Sequence, residues 1–487
     1  MPACVKILPA IVFLIVVLYS CNKKDAASGP PVTPPTDTTT NTVTGSDVTL
    51  YLTRTDKTAM FSKQNLSLVF GSQGNAGPTI TVDSTKTYQT IDGFGYCLTG
   101  GSAYLINHLA AADKDAILKE LFLTDSNHIG VSYLRISIGA SDLSANVFSY
   151  DDAGSPSAPD TTLAYFDLST DKLDLVPLLK QILTLAPNIK ILGSPWSAPL
   201  WMKDNNNSVG GTLQAQYYEV YARYFVKYIQ AMQAEGIHID AVTPQNEPMN
   251  PGNNPSMTLT AAQEADFVKS HLGPAFQAAG ITTKIICFDH NCGNPEYPLA
   301  VLADTAARNF VDGSAFHLYG GDISALTQVH NAYPSRNVYF TEQWVGGPST
   351  DFGGDLGWHV KNLIIGAPRN WSRNVLEWNL ANDPSYQPHT QGGCTNCLGA
   401  LTIGSSVSRN VSYYIVAHAS KFVRPGSVRV DSNIPGSLQN VAFVTPDGKK
   451  VLIVLNDSGA TQVFNIQFKG KYVQTSLTAG AVGTFVW

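Results

Sequence analysis

Apolar positions fall into distinct textures along this chain, and their order predicts its layout. Between residues 47 and 86, short runs at 48–52, 66–70 and 78–82 alternate apolar with polar and are broken by Gly and Asn, as antiparallel strands with one wet face should be. The same texture returns from about 426 to 487, where Pro446-Asp-Gly-Lys449 supplies a turn between the runs 441–444 and 451–455. Neither end can bury a core alone. The economical arrangement is one β-sandwich assembled from both ends, with the middle of the chain inserted between them.

That middle has a different rhythm: apolar runs that finish on polar residues alternate with helix-patterned stretches, as in a parallel barrel. Eight runs can be counted, at 90–95, 131–138, 189–194, 239–243, 284–288, 313–318, 337–341 and 374–378. The stretches 111–122 and 214–235 carry apolar residues three and four apart, as barrel-covering helices should. The predicted fold is therefore α/β, a (β/α)8 TIM barrel with a side β-sandwich built from both chain ends. Its parts are 47–88 and 416–487 for the sandwich and 89–415 for the barrel.

Ahead of this body, Lys6 and an apolar run from Ile7 to Leu18 lead to Leu18-Tyr-Ser-Cys21. The run is short for a membrane span, and a small residue before cysteine is the cleavage pattern of a bacterial lipoprotein, so 1–20 is expected to be a signal peptide and Cys21 the lipidated residue. Residues 21–46 are rich in Pro and Thr and read as an extended tether. The expected location is an exported lipoprotein of the outer membrane, facing the periplasm or the outside, anchored to lipid through Cys21.

Composition narrows the partners. With 31 Lys+Arg against 37 Asp+Glu, a net charge of −6 and no basic cluster, nucleic acid is not expected. Hydrophobic content of 44% with 14% charged residues fits a loop-rich enzyme acting on a neutral substrate. Of seven cysteines, Cys4 leaves with the signal and Cys21 is lipidated; among Cys97, Cys287, Cys292, Cys394 and Cys397, the pairs Cys394/Cys397 and Cys287/Cys292 are close enough to bond, and at least one thiol stays free. A lone Cys394-Thr-Asn-Cys397 lacks the further ligands a zinc site needs, so a structural loop is expected there and no metal.

Two carboxylates carry the chemistry. Glu247 follows the fourth run in Thr243-Pro-Gln-Asn-Glu-Pro248, and Glu342 follows the seventh. The carboxyl ends of barrel strands are where such enzymes keep their reactive groups, and glycoside hydrolysis needs two carboxyl groups facing one bond. Glu247 has no cationic neighbour in sequence, so burial and the other carboxylate are expected to hold its proton. Arg135 on the second run and the Tyr319 hydroxyl after the sixth are expected to keep Glu342 ionised.

Ile91-Asp-Gly-Phe-Gly95, Ser194-Pro-Trp-Ser-Ala-Pro-Leu-Trp-Met-Lys203, Thr243-Pro-Gln-Asn-Glu-Pro248, Phe316-His-Leu-Tyr319 and Phe340-Thr-Glu342 together resemble glycoside hydrolase family 30 from about residue 47 to the end. The resemblance implies Glu247 as acid/base, Glu342 as nucleophile, net retention at the anomeric carbon, and neither metal nor organic cofactor. It also assigns Asp142, Trp196, Asn246 and Trp378 to the cleaved sugar, with Tyr319 and His317 beside them. The segment Leu376-Glu-Trp-Asn-Leu-Ala381 and the later Pro388-His-Thr-Gln-Gly-Gly-Cys394 look more like the endo-β-1,6-glucanase branch than the glucosylceramidase branch. The expected partner is therefore a β-glucan polysaccharide or oligosaccharide. Glucosylceramidase or β-glucosidase, then glucuronoxylanase, are the enzymatic alternatives, and a silent glycan-binding lipoprotein is the other class.

Overall fold

Eight parallel strands close into a barrel in the computed structural model, which describes residues 45–348 and 351–487. In chain order the barrel strands are Gly93–Cys97, Tyr133–Ser137, Lys190–Ser194, Ala241–Val242, Lys284–Asn291, Val311–His317, Asn337–Glu342 and Ser372–Asn379, and the eighth pairs with the first. Every one overlaps a run read from the sequence. Because side chains alternate along a strand, each strand splits its apolar residues between two cores. Tyr133, Leu192, Ala241, Ile286, Ala315, Tyr339 and Leu376, one from each of strands two to eight, form the packed layer inside. Leu134, Ile191, Val242, Ile285, Phe316, Phe340 and Val375 face the surrounding helices.

Stepping two residues along from the inner layer brings Arg135, Ser194, Thr243, His317, Thr341 and Trp378 to the next layer up, at the carboxyl end. This is the physical origin of the site: period two turns an apolar floor into a polar one within a single step. Among the covering helices, Ala111–Phe122 begins and ends where its pattern predicts, and Tyr218–Ala234 turns Tyr221, Tyr224, Phe225, Tyr228 and Met232 inward. Helix Val411–Ser420 also belongs to this packing, with the Tyr96 hydroxyl of the first strand donating 3.1 Å to the Ser412 carbonyl.

Both ends of the described chain enter one hydrogen-bonded sheet of nine strands. Thr49–Thr53 lies beside Val482–Val486, followed by Lys450–Asn456, Leu438–Val444, Val428–Ser432 and the long Thr79–Thr90. Register breaks between Val428–Ser432 and Thr79–Thr90 let the sheet fold over on itself. Phe464 and Phe485, from strands that are not neighbours, then meet edge to face at 6.1 Å across the interior. Lys450–Asn456 is buried on both faces: Leu452 and Val454 fill the sandwich, whereas Val451, Ile453 and Leu455 join the barrel's outer core.

One expected strand is absent. Residues 66–70 form no strand; only Leu68 is buried, with Leu66 and Val69 about half exposed. Its backbone is held by the segment 46–48 instead: the Leu68 carbonyl accepts from the N–H groups of Asp47 and Val48, the N–H of Leu68 donates to Ser46 Oγ and that of Phe70 to the Asp47 carboxylate. Alternation alone could not separate a strand from a segment held in this way. The expected signal peptide, Cys21 and the tether up to residue 44 lie outside the described residues. Among the described residues, no helix is long and apolar enough to cross a membrane.

Candidate active site

Arg135 is the fixed point of the barrel mouth. Fully buried, it donates from one terminal nitrogen to Glu342 Oε2 at 2.6 Å and from the other to Asn246 Oδ1 at 2.6 Å and Asp289 Oδ2 at 2.7 Å. Its guanidinium carbon sits 4.8 Å from the Trp196 ring centroid and 5.9 Å from that of Trp378. A buried cation of this kind is tolerable only when carboxylates surround it.

Asp289 supplies most of that compensation. Its two oxygens accept five hydrogen bonds, from Arg135, Ser194, Thr243, Thr341 and His317. Burial works to raise its pKa, but Arg135 and His317 overcome this and hold it well below the usual carboxylate range. The sequence reading missed Asp289, and the reason is local. Its strand bulges after Phe288, where φ is +77°, with Asp289 at +56°, so the alternation slips and the carboxylate turns inward one residue early. The polar triplet Asp289-His-Asn291 closing an apolar run was the available signal.

Glu342 closes the seventh strand with both oxygens held, Oε2 by Arg135 and Oε1 by the Tyr319 hydroxyl at 2.9 Å. Glu247 stands opposite with φ of +45°, its Oε1 3.2 Å from His317 Nδ1 and its Oε2 accepting from Asn250 at 2.7 Å. A carboxylate oxygen of Glu247, one of Glu342 and a ring nitrogen of His317 lie within 4.8 Å of one another. His317 turns its other nitrogen to Asp289 at 3.0 Å, so both ring nitrogens face carboxylates.

The charge distribution corrects one expectation. Glu247 does have a cationic partner: burial tends to raise it, yet the hydrogen bond and charge of His317, helped by His290 and Asn250, bring it down to about 2. His317, against its own burial, is lifted to about 9 by Glu342, Asp289 and Glu247. Glu342 moves the other way, raised by burial and by Glu247 and Asp289 against the pull of His317 and Arg135. In the free site the mobile proton therefore rests on His317, one hydrogen bond from Glu247.

The cavity above this floor is lined by Glu247, Glu342, Tyr319 and Asp142, by a row of amides from Asn250, Asn253, Asn291 and Asn396, and by Trp196, Trp344, Trp378 and the disulfide Cys394–Cys397. Asp142 is buried, and burial together with Glu342 and Glu247 pushes its carboxyl up to about 7. Trp196 and Trp378 are 2% and 4% exposed, with centroids 5.4 Å apart, and share a buried cluster with Cys97, Leu143 and Cys397. Trp344, missed in the sequence although it stands two residues past Glu342, is the indole more open to the cavity. Asn246 and His317 lie beneath the lining, Asn246 with its amide oxygen on Arg135. Cys97, Cys287 and Cys292 are free and buried.

A closed parallel barrel presenting two opposed carboxylates at its carboxyl end has the makings of a glycoside hydrolase. The family model described as glycosyl hydrolase family 30 TIM-barrel domain matches residues 91–423, and that of the family 30 beta sandwich domain matches 426–485. The chain belongs to glycosyl hydrolase family 30. It is 34% identical to the endo-1,6-beta-D-glucanase neg1 of Aspergillus fumigatus over 410 residues, 78% of this chain and 81% of that one. It is 32% identical to the putative glucosylceramidase 2 of Caenorhabditis elegans over 77% of this chain and 76% of the relative. The solved structure of the endo-beta1,6-glucanase BT3312 superposes with a TM-score of 0.84 at 35% identity, covering 91% of this chain and 99% of that one.

Proposed function

We propose that this glycoside hydrolase is an endo-β-1,6-glucanase that works by double displacement, with Glu342 as nucleophile and Glu247 as acid/base. The carrying observation is the approach of the two carboxylates to within 4.8 Å. Retaining enzymes hold their pair about 5 to 5.5 Å apart, whereas inverting ones leave room for a water between. Glu342 attacks the anomeric carbon, and the proton stored on His317 passes through Glu247 to the leaving oxygen. Entry of the sugar expels water, and a desolvated ion pair gains by neutralising itself, which returns the proton from Nδ1 to Oε1. The glycosyl ester is then hydrolysed by a water that Glu247 deprotonates.

Similarity to the two glucanases supports the linkage. Among the described residues lining the cavity none is Lys, Arg or His, which leaves a glucuronic acid branch without a partner and disfavours the xylanase reading. The test is to offer β-1,6-glucan, β-1,3-glucan, glucuronoxylan and glucosylceramide and to follow product length and the first-formed anomer. Short β-1,6-linked oligosaccharides released as the β-anomer are expected. An α-anomer first would defeat double displacement, and glucose as sole product would defeat endo action.

The protein is further proposed to be exported and anchored by lipid at Cys21, on the strength of the apolar run and Leu18-Tyr-Ser-Cys21. Fatty-acid labelling that persists in Cys21→Ala would overturn this.

A further inference from the structure

We infer that the disulfide-closed turn Cys394–Cys397 is the positioning element for Asp142, and through it for the sugar in the cleaved subsite; this deepens the glucan reading above and rests on it. Asp142 lies on the loop that follows the second barrel strand, and the turn comes 252 residues later, beyond the eighth. They meet at the cavity wall. The Cys394 N–H donates to Asp142 Oδ2 at 3.3 Å, and the Thr390 N–H donates to the Asp142 carbonyl at 2.8 Å. Gly393 packs so closely there that a Cβ would stand 2.4 Å from the Asp142 carbonyl oxygen.

From the other side the turn is fastened to the segment after the nucleophile. Val345 and Gly346 pair with Leu398 and Cys397, and the Gly347 N–H donates to the Asn396 carbonyl at 2.6 Å. Between these anchors Thr395 and Asn396 are exposed and residues 388–396 form no helix or strand, so the S–S bond is the covalent constraint on the conformations the tip can reach. Cys394 and Cys397 also line the cavity themselves, next to Asp142 and Trp378.

The donor matters because of what else faces Asp142. Glu342 from the seventh strand and Glu247 after the fourth both oppose its ionisation, as does burial, whereas the Cys394 N–H favours it. An ionised carboxylate accepts charge-assisted hydrogen bonds from sugar hydroxyls, and a protonated one does so less strongly. Opening the disulfide frees the tip, withdraws the N–H, leaves Asp142 protonated to higher pH and loosens the sugar without touching Glu247 or Glu342.

The experiment compares the oxidised protein, the same protein reduced with dithiothreitol, and Cys394→Ser/Cys397→Ser. Carbon-13 NMR of carboxyl-labelled aspartate follows the Asp142 titration, assigned through Asp142→Asn, and kinetics on β-1,6-glucan are read in parallel. Reduction is expected to raise the Asp142 midpoint and to increase KM about fivefold, the equivalent of one lost hydrogen bond, with kcat little changed. An unmoved midpoint would overturn the inference, as would a loss confined to kcat. Should the oxidised enzyme leave β-1,6-glucan intact, the glucanase reading falls while the titration still decides the positioning role. If the double variant does not fold, reduced wild type carries the comparison.

Discussion

Glu247 sits at a left-handed backbone position, a conformation uncommon outside glycine, and its N–H donates to the Asp289 carbonyl at 3.0 Å. The carboxylate is thus aimed by the same residue whose side chain charges His317. This makes the proton on Glu247 a property of three residues, and its removal has a defined signature. Glu247→Ala is expected to slow β-1,6-glucan by about 10²- to 10⁴-fold, and an activated aryl β-glucoside far less in the glycosylation step, because only a poor leaving group needs the proton. Parallel single-turnover rates on the two substrates check this; equal slowing would assign the acid elsewhere. Another buried carboxyl acts on stability. Asp171 accepts from the Tyr150 hydroxyl at 2.5 Å, and burial raises it from an ordinary 3.8 to about 7. Between those values the folded chain keeps a proton that the unfolded chain has shed, so stability falls as pH rises through this window. Asp171→Asn cannot ionise. It should exceed wild type in stability by about 1 to 3 kcal/mol at pH 8 and lose that advantage at pH 4.5, as thermal unfolding at the two pH values would reveal.

Among the elements, strand Lys450–Asn456 does the most joining, since its alternate residues belong to two cores. Ile453→Ala, in a side chain with no exposed surface, is expected to cost about 2 to 5 kcal/mol and to lower barrel and sandwich together. Urea unfolding followed by tryptophan fluorescence and by far-ultraviolet circular dichroism should keep the two signals coincident; separated transitions would mean that the strand does not bind the layers into one cooperative unit. Such elements were largely legible in the sequence, because a buried parallel strand announces itself as an apolar run stopped by a polar residue. Glu247, Glu342 and Tyr319 could be found in that way, and Arg135 as a lone charge inside such a run. Asp289 carried the same mark, as the first polar residue after the run 284–288, but alternation puts it on the outer face and only the bulge turns it inward. The His317 contact to Glu247 carried no such mark, being made between residues 70 positions apart by the curvature of the closed barrel. Residues 66–70 show the converse, a strand-like pattern without a partner strand.

At the scale of the molecule, the strands nearest the two ends of the described chain are hydrogen-bonded neighbours, with Thr49 opposite Val486 and Thr53 opposite Val482. The described chain is thus a ring in all but one short link. A linker of a few residues from Trp487 to Asp47, with a cut at the exposed Gly280 turn between helix Gly273–Ala278 and strand Lys284–Asn291, should yield a circularly permuted enzyme that folds and keeps its catalytic rate. The position of the chain break is then separable from the chemistry: the barrel strands that carry Arg135, Glu247 and Glu342 keep their order around the closed ring wherever the backbone is opened.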